Sequence, residues 1–325
     1  MVPGRPTRNA YRGLRRGSRV PRAGWDAKSV GLFAAMVVAW AGNYLFVRLG
    51  ETVVTPLWLA SLRAGIGVLG VGAFLAIRSP PGGFSRVDAR DALLLGIPNT
   101  AIFLGLWFVA APAIAPGETA VLIYTFPLWV ALFSPTLLGS HLGRRHGYAL
   151  GLGFAGVVLV SQPWSASVVR SDLVPFLELL AAAVSWALAT LLFQRRFHPD
   201  DLARANGYQL LGGATVLIGV SLVTRQAAMP LGNPDLWISV LWLGLLGTAF
   251  AYGVWFYLLR SVHASALSAY AFLVPLTALA LSATFEGERL VWSQLAGVVL
   301  VVAGIYLVGT NPLSGARVGP TLEGT

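Results

Sequence analysis

The stretch Leu95–Leu142, LGIPNTAIFLGLWFVAAPAIAPGETAVLIYTFPLWVALFSPTLLGSHL, lies in register with Leu243–Leu290, LGLLGTAFAYGVWFYLLRSVHASALSAYAFLVPLTALALSATFEGERL, at an offset of 148 residues. No gap is needed, and 13 of the 48 positions are identical. Matches of Leu or Ala mean little in apolar sequence. Trp107-Phe108 over Trp255-Phe256 and Pro127-Leu128 over Pro275-Leu276, all in one register, mean more. A long apolar unit present twice is the signature of membrane transporters built from internal repeats.

Composition agrees with a membrane chain. It is 56% hydrophobic and only 11% charged, where a soluble domain carries roughly 25% charged residues. The net charge of +10 would suggest nucleic acid in a soluble protein. Here the arginines sit between apolar runs, so the charge reads as membrane topology and no nucleic-acid partner is expected. There is no Cys, which excludes disulfides and thiolate metal sites. The four His are scattered, and no HExxH, GxSxG or phosphate-loop motif occurs. No metal and no cofactor is expected. The expected partners are a small-molecule substrate and the lipid bilayer, and nothing in the chain assigns an oligomeric state.

A span needs about 20 mainly apolar residues to cross ~30 Å of hydrocarbon. The hydropathy pattern predicts ten: 29–48, 57–77, 91–111, 117–138, 147–163, 173–194, 204–223, 236–258, 264–284 and 292–309. With a cytoplasmic N-terminus, 18 Lys and Arg fall on inside segments and four (Arg48, Arg170, Arg225 and Arg289) outside, as the positive-inside bias requires. Both termini are therefore expected in the cytoplasm of a bacterial inner membrane. The offset relates the third span to the eighth, so each repeat holds five spans, 29–163 and 173–309. An odd number inverts the second copy in the bilayer. The fold class expected is an all-α integral membrane protein of ten transmembrane helices in two inverted five-helix repeats. Residues 1–28 read as a basic, disordered cytoplasmic tail that touches anionic lipid, with a transit peptide as the alternative. Residues 310–325 read as a cytoplasmic C-terminal tail.

Short motifs spread over this frame carry a family likeness. They are Trp40-Ala-Gly-Asn43-Tyr44, Pro56-Leu-Trp-Leu-Ala-Ser-Leu-Arg63, Tyr124-Thr-Phe-Pro127, Leu273-Val-Pro275-Leu276 and Gly287-Glu288-Arg289-Leu290, followed by Gly297 and Gly304. In order and spacing the chain resembles the drug/metabolite transporter superfamily, and within it the EamA-type ten-helix transporters. The resemblance implies transport of a small organic solute, commonly export from the cytoplasm. The first copy departs from the pattern: Gly139-Ser140-His141-Leu142 stands where the family often keeps Gly-Glu, and Glu288 alone retains the acid.

Inverted repeats place a substrate site near the midplane where the copies meet. Trp40, Asn43 and Tyr44 share a face of the first span, with Val47 one turn on. Asn99, Phe103 and Trp107 share one on the third, and Thr248, Tyr252 and Trp255 one on the eighth. Asn43 and Asn99 are pore candidates, because an amide cannot face lipid unsatisfied; an interhelical hydrogen bond is the alternative. Trp40, Trp107, Trp186 and Trp255 either line a cavity or pack. Trp58, Trp129, Trp237, Trp242 and Trp292 near span ends read as interface anchors. Tyr124, Tyr252 and Tyr270 offer hydroxyls. Pro127 and Pro275 are hinges or static kinks. Gly65, Gly67, Gly70 and Gly72 read as close-packing positions on the second span.

Arg63 and Glu178 are the two charges expected inside the membrane. Snorkelling to the outer interface is the expected placement of each. The alternatives are pairing with each other, binding a solute carboxylate, or, for Glu178, carrying a proton. Glu118 is expected at a helix N-terminus and His263 in a loop. With no acid at a span centre, uncoupled or weakly coupled exchange is expected. The function expected is secondary transport by alternating access, exporting small metabolites such as amino acids or amphipathic and aromatic compounds. The alternative readings are a lipid or sugar-lipid flippase and a non-transporting membrane component. An intramembrane enzyme would need clustered His, Asp, Glu or Ser at membrane depth, and the chain has none.

Overall fold

A computed structural model describes residues 26–78, 85–114, 116–139, 143–161, 164, 173–197, 201–260, 262, 264–285 and 291–309. The basic tail up to residue 25, the tail from residue 310, Ser140–Leu142, His263 and Gly287–Leu290 lie outside the described residues, as does the side chain of Glu118.

The described residues form helices and no strand. In chain order these are α1 (Ala27–Glu51), α2 (Pro56–Arg78), α3 (Arg86–Gly96), α4 (Phe103–Ala110), α5 (Pro116–Ile123), α6 (Phe126–Leu138), α7 (Arg144–Ser161), α8 (Leu173–Arg196), α9 (Leu202–Val223), α10 (Pro234–Leu241), α11 (Ala251–Leu258), α12 (Ala264–Tyr270), α13 (Leu273–Phe285) and α14 (Trp292–Gly309). Among the described residues, six rods are long and apolar enough to cross a membrane: 27–51, 56–77, 88–113, 173–196, 202–223 and 234–258. Leu69, Phe74, Ile77 and Val223 lie exposed on their outer faces, as do Val299 and Tyr306 on α14. In water such a surface would associate; in a bilayer it meets lipid.

Two expected spans are not single helices. The segment 117–138 divides into α5 and α6 at Tyr124–Thr125, and 264–284 divides into α12 and α13 at Ala271–Phe272. The reason is a proline just after each break. Pro127 has no N–H to donate backwards and would clash with a preceding turn, so a new helix begins with it in the first turn, where that N–H is not needed. Pro275 repeats the arrangement as the third residue of α13. At the first break the Thr125 hydroxyl donates to the Leu122 carbonyl at 2.7 Å and accepts from Trp129 Nε1 at 3.2 Å. Trp129 thus closes a break rather than anchoring an interface. Gly139 ends α6 at φ 64°, its N–H on the Pro135 carbonyl, the left-handed cap that glycine adopts without strain.

Two other rods are continuous but locally widened. A π-helical turn, Ile97–Ile102, joins α3 to α4, and a second, Trp242–Phe250, joins α10 to α11. Shifted by the 148-residue offset, the first falls on 245–250 and so inside the second. In the first, Pro98 cannot bond to the preceding turn, and the helix widens around it. In the second, the Thr248 hydroxyl donates to the Leu243 carbonyl five residues back, at 2.8 Å, competing with the α-helical ladder.

Backbones approach closely at these turns. A Cβ on Gly96 would strike the Gln209 carbonyl of α9, and one on Gly244, its repeat equivalent, would strike Ile66 of α2. Each copy's widened rod therefore packs on a helix of the other region of the chain. On α2, Gly67 meets Thr248 and Gly70 meets Ala249, whereas Gly65 and Gly72 face open space; only half of the glycines expected at close contacts make one. Gly156 of α7 and Gly304 of α14 sit against each other's helix backbones, the small-residue packing that membrane helices favour. At one end Arg196 of α8 binds Asp88 at 2.9 Å and Asp91 at 2.7 Å, which places the end of α8 beside the start of α3.

Candidate functional site

One cavity gathers side chains from both copies: Trp40, Asn43 and Tyr44 of α1, Arg63 of α2, Phe103 and Trp107 of α4, Ile123 of α5, Tyr124 of the break, Trp186 of α8 and Tyr252 of α11. The space among them admits about one water molecule. A metabolite therefore enters only if the walls move apart.

The walls are aromatic. Trp186 stacks on Phe126 at 3.9 Å between ring centroids and on Phe103 at 5.0 Å. Trp40 meets Trp186 edge-on at 5.5 Å and Tyr252 at 6.3 Å. Tyr44 and Phe103 lie 5.8 and 5.6 Å from Trp107. These offset and edge-to-face arrangements are the ones ring quadrupoles favour.

Arg63 does not snorkel. It is 1% exposed, and among the described residues no other Asp, Glu, Lys or Arg is fully buried. Its Nε donates to Thr248 Oγ1 at 3.0 Å and its Nη2 to the Gly247 carbonyl at 3.3 Å. Its guanidinium carbon lies 5.2 Å from the Trp107 ring centroid and 5.6 Å from that of Phe108. The widened turn explains the placement: it turns the Gly247 carbonyl and the Thr248 hydroxyl toward α2, where a cation finds partners that lipid lacks. Trp40 Nε1 donates to the same Gly247 carbonyl at 3.2 Å. Gly247 has no side chain because Asn43 Oδ1 occupies the place of its Cβ.

Nη1 of Arg63, Oδ1 of Asn43 and Oη of Tyr252 are buried without a hydrogen-bond partner. In a dry interior such orphan atoms are costly.

The other candidates from the sequence lie elsewhere. Trp255 packs against Trp40 at 5.5 Å behind the wall. Thr248 acts through Arg63. Asn99 is buried on the first π turn, its amide without a partner, outside the cavity lining. Tyr270 is half-buried beside Phe33, at 6.3 Å. Glu178 is half-buried on α8 and forms no ion pair with Arg63. Pro127 and Pro275 are buried at the helix breaks. Trp242 is a packing residue, not an anchor: it stacks on Phe46 at 4.4 Å and donates to the Ala39 carbonyl at 3.3 Å.

The model of the EamA-like transporter family matches this chain twice, over residues 27–162 and 175–310. The chain belongs to the EamA-like transporter family. It is an integral membrane transporter of the drug/metabolite transporter superfamily, not an enzyme. Escherichia coli (strain K12) YedA, described as an uncharacterized inner membrane transporter, is 27% identical over 304 residues, spanning 87% of this chain and 93% of YedA. Bacillus subtilis (strain 168) YoaV, an uncharacterized transporter, is 23% identical over 273 residues, spanning 84% and 94%. A solved crystal structure shares the fold with a TM-score of 0.72 at 19% identity, over 88% of this chain and 98% of that one.

Sequence reasoning missed two parts of this EamA-family chain. Ile123 lines the cavity and carries no polar or aromatic signal. Asn206 and Gln209 of α9 form a buried chain with Thr100: Thr100 Oγ1 donates to Gln209 Oε1 at 2.7 Å, and Gln209 Nε2 to Asn206 Oδ1 at 2.9 Å. Two amides three residues apart inside an apolar span were the available signal.

Proposed function

We propose that the chain is a secondary transporter that exports small organic metabolites by alternating access. Its architecture is ten spans in two inverted repeats, 29–163 and 173–309, with both termini cytoplasmic in a bacterial inner membrane. The observation that carries the reading is the convergence of side chains from both copies on one buried, aromatic-walled cavity too small to hold a solute as it stands. In this reading, rocking of one copy against the other opens the site to either face. The paired helix breaks at Pro127 and Pro275 supply the hinges. The Arg196 pairs with Asp88 and Asp91 support the topology, since they join two segments assigned to the inside. The inner membrane location follows YedA, which carries that description.

Trp40, Asn43, Tyr44, Phe103, Trp107, Tyr124, Trp186 and Tyr252 contact the solute in this reading. Amphipathic or aromatic metabolites, amino acids among them, fit walls of this kind better than polyanions, which call for several buried cations.

The test is flux of labelled amino acids and aromatic metabolites into proteoliposomes holding the purified protein. Saturable uptake, lost in Asn43→Ala and Trp107→Ala, is the expected result. Folded, inserted protein that moves no solute but scrambles fluorescent lipid would replace this reading with a flippase.

A further inference from the structure

We propose that the cavity selects solutes carrying a single anionic head group, a carboxylate, and that Nη1 of Arg63 receives it. For transport this rests on the reading above; the anion site itself does not.

The argument begins with an incomplete cation. A guanidinium has five N–H donors and keeps its charge in proteins. Two of the three Arg63 nitrogens are committed, Nε to Thr248 and Nη2 to Gly247. Both acceptors are neutral, so the charge is oriented but not balanced. Nη1 is buried with no partner, on a residue that lines the cavity. Among the described residues no carboxylate pairs with Arg63. A membrane-buried charge is expensive and normally finds an opposite charge or a wet pathway. Here the opposite charge is missing, and the cavity is where it fits.

The rest of the site narrows the ligand. The contacts to Trp107 and Phe108 hold the guanidinium plane, so Nη1 has a fixed direction. One buried cation balances one negative charge and leaves a phosphate or phosphonate dianion under-neutralised. A cationic solute would meet Arg63 with like charge at low dielectric. Trp40, Phe103, Trp107 and Trp186 offer flat apolar faces to the body of the solute. Asn43 Oδ1 and Tyr252 Oη, both without partners, accept from any N–H or O–H it carries. The ligand class is a monocarboxylate on a planar, apolar body.

The first test is binding, read from intrinsic tryptophan fluorescence of the full chain in detergent. The probes share a ring and differ in head group: phenylacetate, 2-phenylethanol, 2-phenylethylammonium and benzylphosphonate. Phenylacetate should bind about tenfold or more tightly than each of the others, the size expected of a charge-assisted hydrogen bond. Arg63→Gln should erase that preference, and Arg63→Lys should keep part of it, as a charge without the fork. The selectivity of the unaltered protein stands as a test even if Arg63→Gln fails to fold. Equal binding of the neutral or cationic probe, absence of saturable phenylacetate binding, or a folded Arg63→Gln that keeps the preference would each overturn the proposal. Flux in proteoliposomes separates the two levels. Carboxylate-selective binding without flux removes the transporter reading and leaves the anion site. Flux that ignores the head group keeps the transporter reading and removes the anion site.

Discussion

The two π turns occupy equivalent places in the repeated sequence and are held in different ways. In the first, Thr100 closes on Gln209 and Asn206, a neutral chain between the turn and α9. In the second, the equivalent Thr248 accepts from Arg63, and Gly247, equivalent to Asn99, accepts from both Arg63 and Trp40. The same backbone device thus serves two ends. One copy holds its turn with neutral side chains, Gln209 on Thr100 and the Ser185 hydroxyl on the Pro98 carbonyl, and stays electrically silent. The other uses its turn to seat a cation facing the cavity. Repeat symmetry supplies the widened helices, and a few substitutions decide which of them carries charge.

The largest effect that would test this contrast is steric. Gly96→Ala puts a methyl group against the backbone of α9, which cannot rotate away, while Gly244→Ala meets chiefly the side chain of Ile66. Gly96→Ala should cost roughly 3 kcal/mol, at the upper end for overpacking, and Gly244→Ala distinctly less. Thermal unfolding in detergent measures both, and equal losses would show that the two approaches are equally rigid.

Next come the equivalent threonines. Thr100→Val strips a donor from Gln209 and should lower stability by about 1 kcal/mol, the scale of an interhelical hydrogen bond in a membrane. Thr248→Val leaves Arg63 Nε and the Leu243 carbonyl without that partner, so it should lower stability at least as much and, unlike Thr100→Val, also raise the half-saturation concentration for flux several-fold. If the two variants exchange these effects, the division of roles between the copies is wrong.

The prolines probe a shared feature. Pro127→Ala and Pro275→Ala restore an N–H at the start of α6 and α13 and should change stability by less than about 1 kcal/mol. If the breaks are hinges, each variant slows flux several-fold; unchanged flux in both would make them static kinks. Trp40→Phe drops the bond to Gly247 and replaces a buried indole packed on Trp186, Tyr252 and Trp255 by a smaller ring. Its loss in unfolding should exceed the about 0.6 kcal/mol typical of such a bond alone, and a smaller loss would mean that Arg63 alone satisfies that carbonyl.

Much of the frame was legible in the chain. The duplicated Leu95–Leu142 unit placed the apolar rods and put Pro127 and Pro275 in equivalent positions, because apolar length, proline position and repeat register are linear properties; the widened turns and the division of two expected spans into separate helices came only with the structure. The shared faces of Trp40, Asn43 and Tyr44, and of Phe103 and Trp107, predicted side chains that do meet in one cavity, because helical periodicity alone sets which residues share a face. Asn99 and Trp255 obeyed the same periodicity and stand outside the lining, as does Tyr270, which was expected to offer its hydroxyl. A face has no address until another helix packs on it. Arg63 is the sharpest case. Its depth on the second span favoured snorkelling, and only the tertiary approach of the Trp242–Phe250 turn, with its free carbonyl and hydroxyl, made an inward rotamer the one with partners. Hydropathy and periodicity are written residue by residue. Hydrogen-bond partners 184 and 185 residues away exist only once the two copies have closed on each other.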